Sequence, residues 1–241
     1  MFTERVLGIM ATALPNMLLA CLKVTIPLTV ISFIGGMILA LILALVQVAN
    51  VKGLKQFARF YIWIFRGTPL LVQMFIIFFG LPSLGVYLDG FPAAIIAFSL
   101  NLAAYNAEIL RSAILAVPTG QMEAGYMIGL NYFQIMARIV MPQAFKTAFP
   151  PLFSSLIGLT KDTSMASTIT VIEMLSVGKQ VAARYYEPFA IYCEAALVYL
   201  AICTLLTFLQ SHLEKKLEWK QPDEAAADDG KKLAASSAAG K

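Results

Sequence analysis

"VTIPLTVISFIGGMILALILALVQVANV", residues 24–51, contains no charged side chain over 28 consecutive positions. As a helix rising about 1.5 Å per residue it exceeds a hydrocarbon core of about 30 Å, so it is read as a membrane span that crosses with tilt or with a bend at Pro27. The whole chain agrees: of 241 residues 59% are hydrophobic and only 13% charged, a balance that excludes an ordinary soluble domain.

Hydropathy and the placement of Gly, Pro and charge divide the chain into five candidate spans, at about residues 14–49, 57–79, 91–115, 146–168 and 189–212. The fourth is the weakest, because only Thr147 to Thr160 is free of charge and Lys161 and Asp162 follow at once. Lys52, Lys55 and Arg59, then Arg138 and Lys146, then the basic residues after the last span all fall on one side if the N-terminus is outside and the C-terminus inside. The expected fold is therefore an all-α integral membrane protein with five helices, N-out and C-in. It divides into a transmembrane domain over 1–219 and a flexible cytoplasmic tail over 220–241, whose small, polar, mixed-charge composition cannot order itself.

Several features read as structural. The start, with Glu4 beside Arg5 and Pro15 inside the first apolar run, lacks the pattern of a cleaved signal and is read as retained. Cys21, Cys193 and Cys203 have no metal or redox spacing and read as small buried hydrophobes. His212, the one histidine, reads as a solvated residue near a helix end, and no metal site is expected. Gly36, Ala40 and Ala44 form a small-residue row that lets another helix approach closely, in this subunit or in a second copy.

The segment "VPTGQMEAGYMIGLNYFQIMARIVMPQAFK", 117–146, cannot cross a bilayer as one helix. Its chemistry predicts a short helix from about Gly120 to Ile128 with Glu123 in the first turn, closed by Gly129 in a left-handed conformation. A second helix then opens with Asn131 as N-cap and Gln134 at the capping-box spacing. On local features alone this is either a connecting loop or a docking element on the basic side.

The spacing of Glu123, Ala124, Gly129, Ile139 and Pro142 resembles the EAA motif, Glu-Ala-Ala-x3-Gly-x9-Ile-x-Leu-Pro, of the permease subunits of ABC importers, with Gly125 at the second alanine and Met141 at the leucine. The resemblance implies the type I importer permease fold, with a cytoplasmic coupling helix seated in a groove of a separate ATPase. Glu123, Ala124, Gly125, Gly129, Ile139 and Pro142 are then docking residues. It also implies ATP and Mg bound by that partner, a second permease subunit (a further copy or a paralogue), and a periplasmic or extracellular solute-binding protein. Consistent with an energy source elsewhere, no glycine is followed by Lys-Ser or Lys-Thr, so this chain has no phosphate-cradling P-loop.

"FYIWIFRGTPLLVQMFIIFFGLP" (60–82), "SLNLAAYNAEILRSAI" (99–114) and "LTKDTSMASTI" (159–169) resemble the polar amino acid branch of that family. "RFYIWIFRGTPLLVQ" and "LQSHLEKKLE" are most similar to L-cystine permeases. The implied function is translocation of a polar amino acid across a bacterial inner membrane, without catalysis by this chain.

The residues themselves support a zwitterion site. Asn101, Tyr105, Glu108 and Ser112 recur at helical spacing along one face, and polar groups at membrane depth are costly unless they meet a partner or a wet cavity. Lys161, Asn101 and Ser155 suit a substrate carboxylate, whereas Glu108, Asp162 and Tyr105 suit its ammonium. The alternative is structural pairing, Glu108 with Arg111 and Lys161 with a nearby acid. Arg66 to Pro69 reads as a structural break of the second span, with Gln73, on the face of Arg66, a secondary pore-lining candidate. An ion-gradient-driven secondary transporter is the rival class, and its mark would be two internally similar halves.

Overall fold

The computed structural model describes residues 4–217; the tail assigned to 220–241 lies outside the described residues. Within them the chain is helical, with no strand. The first helix, α1 (Glu4–Val48), is continuous for 45 residues, about 67 Å. It begins some ten residues before the expected start of the first span. Its early part packs against the C-terminal helices, where Ile9, Ala13 and Met17 join Met174, Ile191 and Ala195 in one buried cluster. Its later part packs against the central helix.

Next comes α2 (Leu54–Gly67), which meets α3 (Leu70–Leu84) at a bend of 104°. The expected break at Arg66 to Pro69 is thus present: Thr68 and Pro69 are extended, and Pro69 offers no N–H to continue the ladder. The central helix α4 (Gly90–Leu115) is followed by the short α5 (Thr119–Met127). The long α6 runs from 132 to 162 and ends in a tight turn, Thr163–Ile169. Then α7 (Met174–Tyr185) and α8 (Pro188–Leu217) complete the described chain.

Among the described residues three helices are long and apolar enough to cross a membrane, α1, α4 and α8, and a fourth if the bent α2–α3 pair counts as one. The fourth sequence candidate, 146–168, becomes the later part of α6 and its closing turn, and does not qualify by composition. Of its unfavourable residues Pro151 and Asp162 border a polar cavity, whereas Pro150 and Lys161 border other spaces on the same helix.

The centre of the bundle is α1 against α4. Gly36, Ala40 and Ala44 are buried here, so the small-residue row serves contact inside the subunit. A Cβ on Gly36 would lie 2.6 Å from Leu102 Cδ2 and 3.1 Å from the Ser99 carbonyl oxygen, and the latter belongs to backbone that cannot step aside. Gly36→Val is expected to cost about 1–3 kcal/mol through overpacking. A melting curve of the purified chain checks this, and an unchanged midpoint would show that α1 and α4 have slack.

Among the described residues three wide, π-type turns interrupt the helices, at Cys21–Thr25, Ile76–Gly80 and Met136–Val140. Each ends two residues before a proline: Pro27, Pro82 and Pro142. A proline ring crowds the carbonyl four residues back and cannot bond to it. Those carbonyls belong to Lys23, Phe78 and Arg138, the middle residue of each turn. The residue before each proline bonds five back instead of four, Ile26 to Cys21, Leu81 to Ile76 and Met141 to Met136, so the helix widens and continues. Pro142 therefore does not stop its helix, and α6 joins the 117–146 segment to the cavity without a break.

At the end of the bundle away from α5, Glu173 caps α7. Its Oε1 accepts from the Ser176 N–H at 2.7 Å, and its Oε2 from the Leu175 N–H at 2.8 Å and the Tyr199 hydroxyl at 3.1 Å. Burial pushes this carboxyl above the usual carboxylate range, while the two backbone N–H groups pull it back. The neighbouring Met174 N–H reaches Thr25 Oγ1 inside the first wide turn, so one short segment ties α1, α7 and α8 together.

Candidate functional site: a polar cavity and a helical foot

The cavity lies between the α2–α3 bend, α4 and α6 and has a volume of about 470 Å³. Its polar lining is Thr68 from the bend, Asn101, Tyr105 and Asn106 from α4, and Ser155 and Asp162 from α6. Pro151 and Gly158 keep the facing side of α6 low, and Phe98, Leu102 and Met165 supply apolar walls.

The bend is held by side-chain amides. The Gln73 Nε2 lies 2.9 Å from the Phe65 carbonyl oxygen and 2.7 Å from Thr68 Oγ1, which satisfies acceptors that the broken helix leaves open. Asn101 Nδ2 donates to Gln73 Oε1 at 3.0 Å and fastens the bend to α4. Gln73 is buried in this role and does not border the cavity. The Asp162 carboxylate makes no hydrogen bond to another described residue. The Asn106 side chain is fully buried beside the cavity, and its Oδ1 has no partner among the described residues.

Of the six residues singled out for substrate, the fold brings Asn101, Tyr105, Ser155 and Asp162 to this one space. Glu108 sits one turn further along α4 in an adjoining cleft, where Arg111 donates to both of its oxygens at 2.9–3.2 Å and Gln47 Nε2 donates at 3.2 Å. Lys161 points the other way, bordering a separate space with Ser164 and Tyr199. Between cavity and cleft, the Arg66 guanidinium lies 5.4 Å from the centre of the Tyr105 ring. Sequence reasoning missed Asn106 and Thr68. Asn106 follows Tyr105 and so lies about 100° round the helix from the face that was followed.

The second site is α5 and the start of α6. The Leu130 N–H bonds the Gly125 carbonyl at 3.1 Å and the Gly129 N–H bonds the Tyr126 carbonyl at 2.9 Å, the two bonds of a Schellman stop, with Gly129 at φ +81°. Both halves of the capping box form: Asn131 Oδ1 accepts from Gln134 N–H at 3.0 Å, and Gln134 Oε1 from Asn131 N–H at 2.9 Å. Because α5 starts at Thr119, Glu123 is its fifth residue and not in the first turn, so the macrodipole adds little there.

The motif residues divide by direction. Glu123 and Ala124 are exposed, as is Pro142, whereas Gly125 is buried against Ile135 and Ile139. A Cβ at Gly125 would lie 2.8 Å from Ile135 Cγ1, which gives a physical reason for glycine where the motif has alanine. Around Glu123 the surface is apolar, with Met127 87%, Ile128 74% and Phe133 81% exposed.

An all-helical membrane protein with a bent span, a central polar cavity and a rigid, outward-facing helical foot has the architecture of a type I ABC importer permease. The chain belongs to the family described as the binding-protein-dependent transport system inner membrane component, which matches residues 36–219. It is 49% identical over 195 residues to the L-cystine transport system permease protein TcyB of Bacillus subtilis, covering 80% of this chain and 83% of that one. It is 38% identical over 201 residues to the arginine transport system permease protein ArtQ of the same organism, covering 82% and 90%. Among solved structures, the crystal structure of an amino acid ABC transporter with histidines superposes with a TM-score of 0.80 at 30% identity over 86% of this chain and 96% of that one. A methionine ABC transporter, MetNI, shares the fold at TM-score 0.66 and 19% identity, over 90% and 100%.

Proposed function

We propose that this chain is the permease subunit of an ABC importer that carries a polar amino acid, L-cystine, across the cytoplasmic membrane. The observation that carries the reading is the pairing of the two sites on one helix. α6 begins at the exposed foot and ends at Ser155 and Asp162 in the cavity, so a movement imposed on the foot reaches the substrate groups. The similarity to TcyB supports cystine; the cavity groups would recognise the zwitterion that all amino acids share.

In this reading five spans cross the membrane, N-out and C-in, with the later part of α6 as the least lipid-exposed. The clustering of Lys55, Arg59, Arg111 and Lys146 at the end of the bundle that holds α5 supports that orientation. Two permeases would enclose the pathway, and two ATPase subunits, which bind ATP and Mg, would seat the feet formed by Glu123, Ala124, Gly125, Gly129, Ile139 and Pro142. A solute-binding protein would deliver substrate from outside. Asp162, Asn106 and Tyr105 face the ammonium, while Ser155 and Thr68 offer donors to the carboxylate.

The test is to purify the tagged chain with its companions, reconstitute the complex, and screen amino acids delivered by the binding protein for ATPase stimulation. A co-purifying ABC ATPase stimulated by cystine is the expected result. Uptake by this chain alone, driven by an ion gradient, would overturn it.

A further inference from the structure

Beside the cavity, and separated from it by the Arg66–Tyr105 stack, a cleft of about 560 Å³ opens between the ends of α1 and α4 and one face of α2. It gathers Lys55, Arg59, Arg66 and Arg111 against one carboxylate, Glu108. That carboxylate is fully engaged by Arg111 and Gln47, and Arg66 is stacked on Tyr105. Lys55 Nζ has only the neutral Asn50 Oδ1, at 2.6 Å, and Arg59 has no hydrogen bond or ion pair among the described residues. The cleft therefore holds a net charge of +3 (four cations less one carboxylate), and Lys55 and Arg59 have no anionic partner among the described residues.

The outer face of the same α2 is apolar. Phe57, Phe60 and Trp63 are 66%, 57% and 70% exposed, the rings of Phe60 and Trp63 lie 6.0 Å apart, and Trp63 also lines the cleft. A tryptophan such as Trp63 settles at the boundary between hydrocarbon and headgroups, phenylalanines beside it suit the hydrocarbon, and basic pockets between helices at that depth accept anionic headgroups. Unpartnered cations that open directly onto an aromatic face match one kind of molecule, an acidic head joined to a hydrocarbon tail.

We propose that this cleft is a binding site for the phosphate headgroup of an anionic lipid, held by Lys55 and Arg59, with its acyl chains along Phe57, Phe60 and Trp63. The proposed orientation supplies only the leaflet, the cytoplasmic one; the site itself follows from charge and exposure.

Native mass spectrometry of the full chain in detergent, titrated with phosphatidylglycerol or phosphatidylcholine, tests this. The wild type is expected to retain phosphatidylglycerol about tenfold better, and the Lys55→Gln, Arg59→Gln double variant to lose that preference. A Lys179→Gln, Arg184→Gln variant, altered at the opposite end, is expected to keep it. Equal retention of the two lipids by the wild type, or a preference that survives in the Lys55, Arg59 variant, overturns the proposal. Inorganic phosphate binding as tightly as the lipid overturns the lipid source and leaves a free-phosphate site. A variant that keeps its lipid preference but loses a co-purifying ATPase overturns it in favour of an acidic partner surface. None of these outcomes depends on transport activity, so failure here is distinct from failure of the permease reading.

Discussion

Glu123→Lys is expected to leave the protein folded and inserted while lowering uptake and substrate-stimulated ATP hydrolysis at least tenfold. The helix that carries Glu123 is fixed by bonds that do not involve its side chain, the Schellman stop at Gly129 and the capping box of Asn131 and Gln134. Its own carboxylate is exposed and makes no hydrogen bond or ion pair to a described residue. Reversal of that charge therefore disturbs only what lies outside the chain. There Ala124, Met127, Ile128 and Phe133 offer an apolar surface on which one misplaced cation would be desolvated, and the loss of a charge pair at such a contact costs about 2–5 kcal/mol. Uptake assays in membranes, with the melting midpoint measured in parallel, check the result. Full uptake with normal stimulation would remove Glu123 from the coupling surface.

Asp162→Asn carries the second large effect. In the cavity, the Asp162 carboxylate has no hydrogen-bond partner among the described residues and shares with Asn106 and Tyr105 a space the size of a small ligand. A charged hydrogen bond to an ammonium is worth about 1.5–3 kcal/mol, so the amide is expected to raise KM for uptake by about 10- to 100-fold while the ATPase still co-purifies. Glu108→Gln is the instructive comparison. Its carboxylate is already engaged by Arg111 and Gln47, so its loss is expected to act on stability more than on KM. Equal KM values for Asp162→Asn and wild type would move the substrate groups elsewhere.

Local chemistry was easiest to read in the sequence. Gly129, Asn131 and Gln134 specify a stop and a start within a few residues, and Gly67 to Pro69 specify a bend, because caps and prolines act on their immediate neighbours. What lay beyond a local reading was direction. Lys161 and Asp162 are adjacent, yet one enters the cavity and the other leaves it, a choice made by the helices packed on either side. The first helix extends back to Glu4 because Met174 and Ile191 cover its early residues, and no hydropathy window contains those partners. The wide turns were likewise hidden: proline alone suggests a kink, and only the hydrogen bonds show that the chain answers it by adding a residue to the turn.

Of the three wide turns, the one at Met136–Val140 has a mechanical reading. It lies between the foot and the cavity on the same rod, which at about 1.5 Å per residue is roughly 45 Å long. A uniform α-helix under load transmits both push and twist, whereas a rod with a widened turn or an internal proline yields there first. In the proposed reading a stroke at α5 would reach Asp162 through this turn and then past Pro150 and Pro151, where the backbone ladder also lacks donors. On that proposal, such compliance would let the foot adjust on an ATPase while Ser155 and Asp162 stay against the cavity.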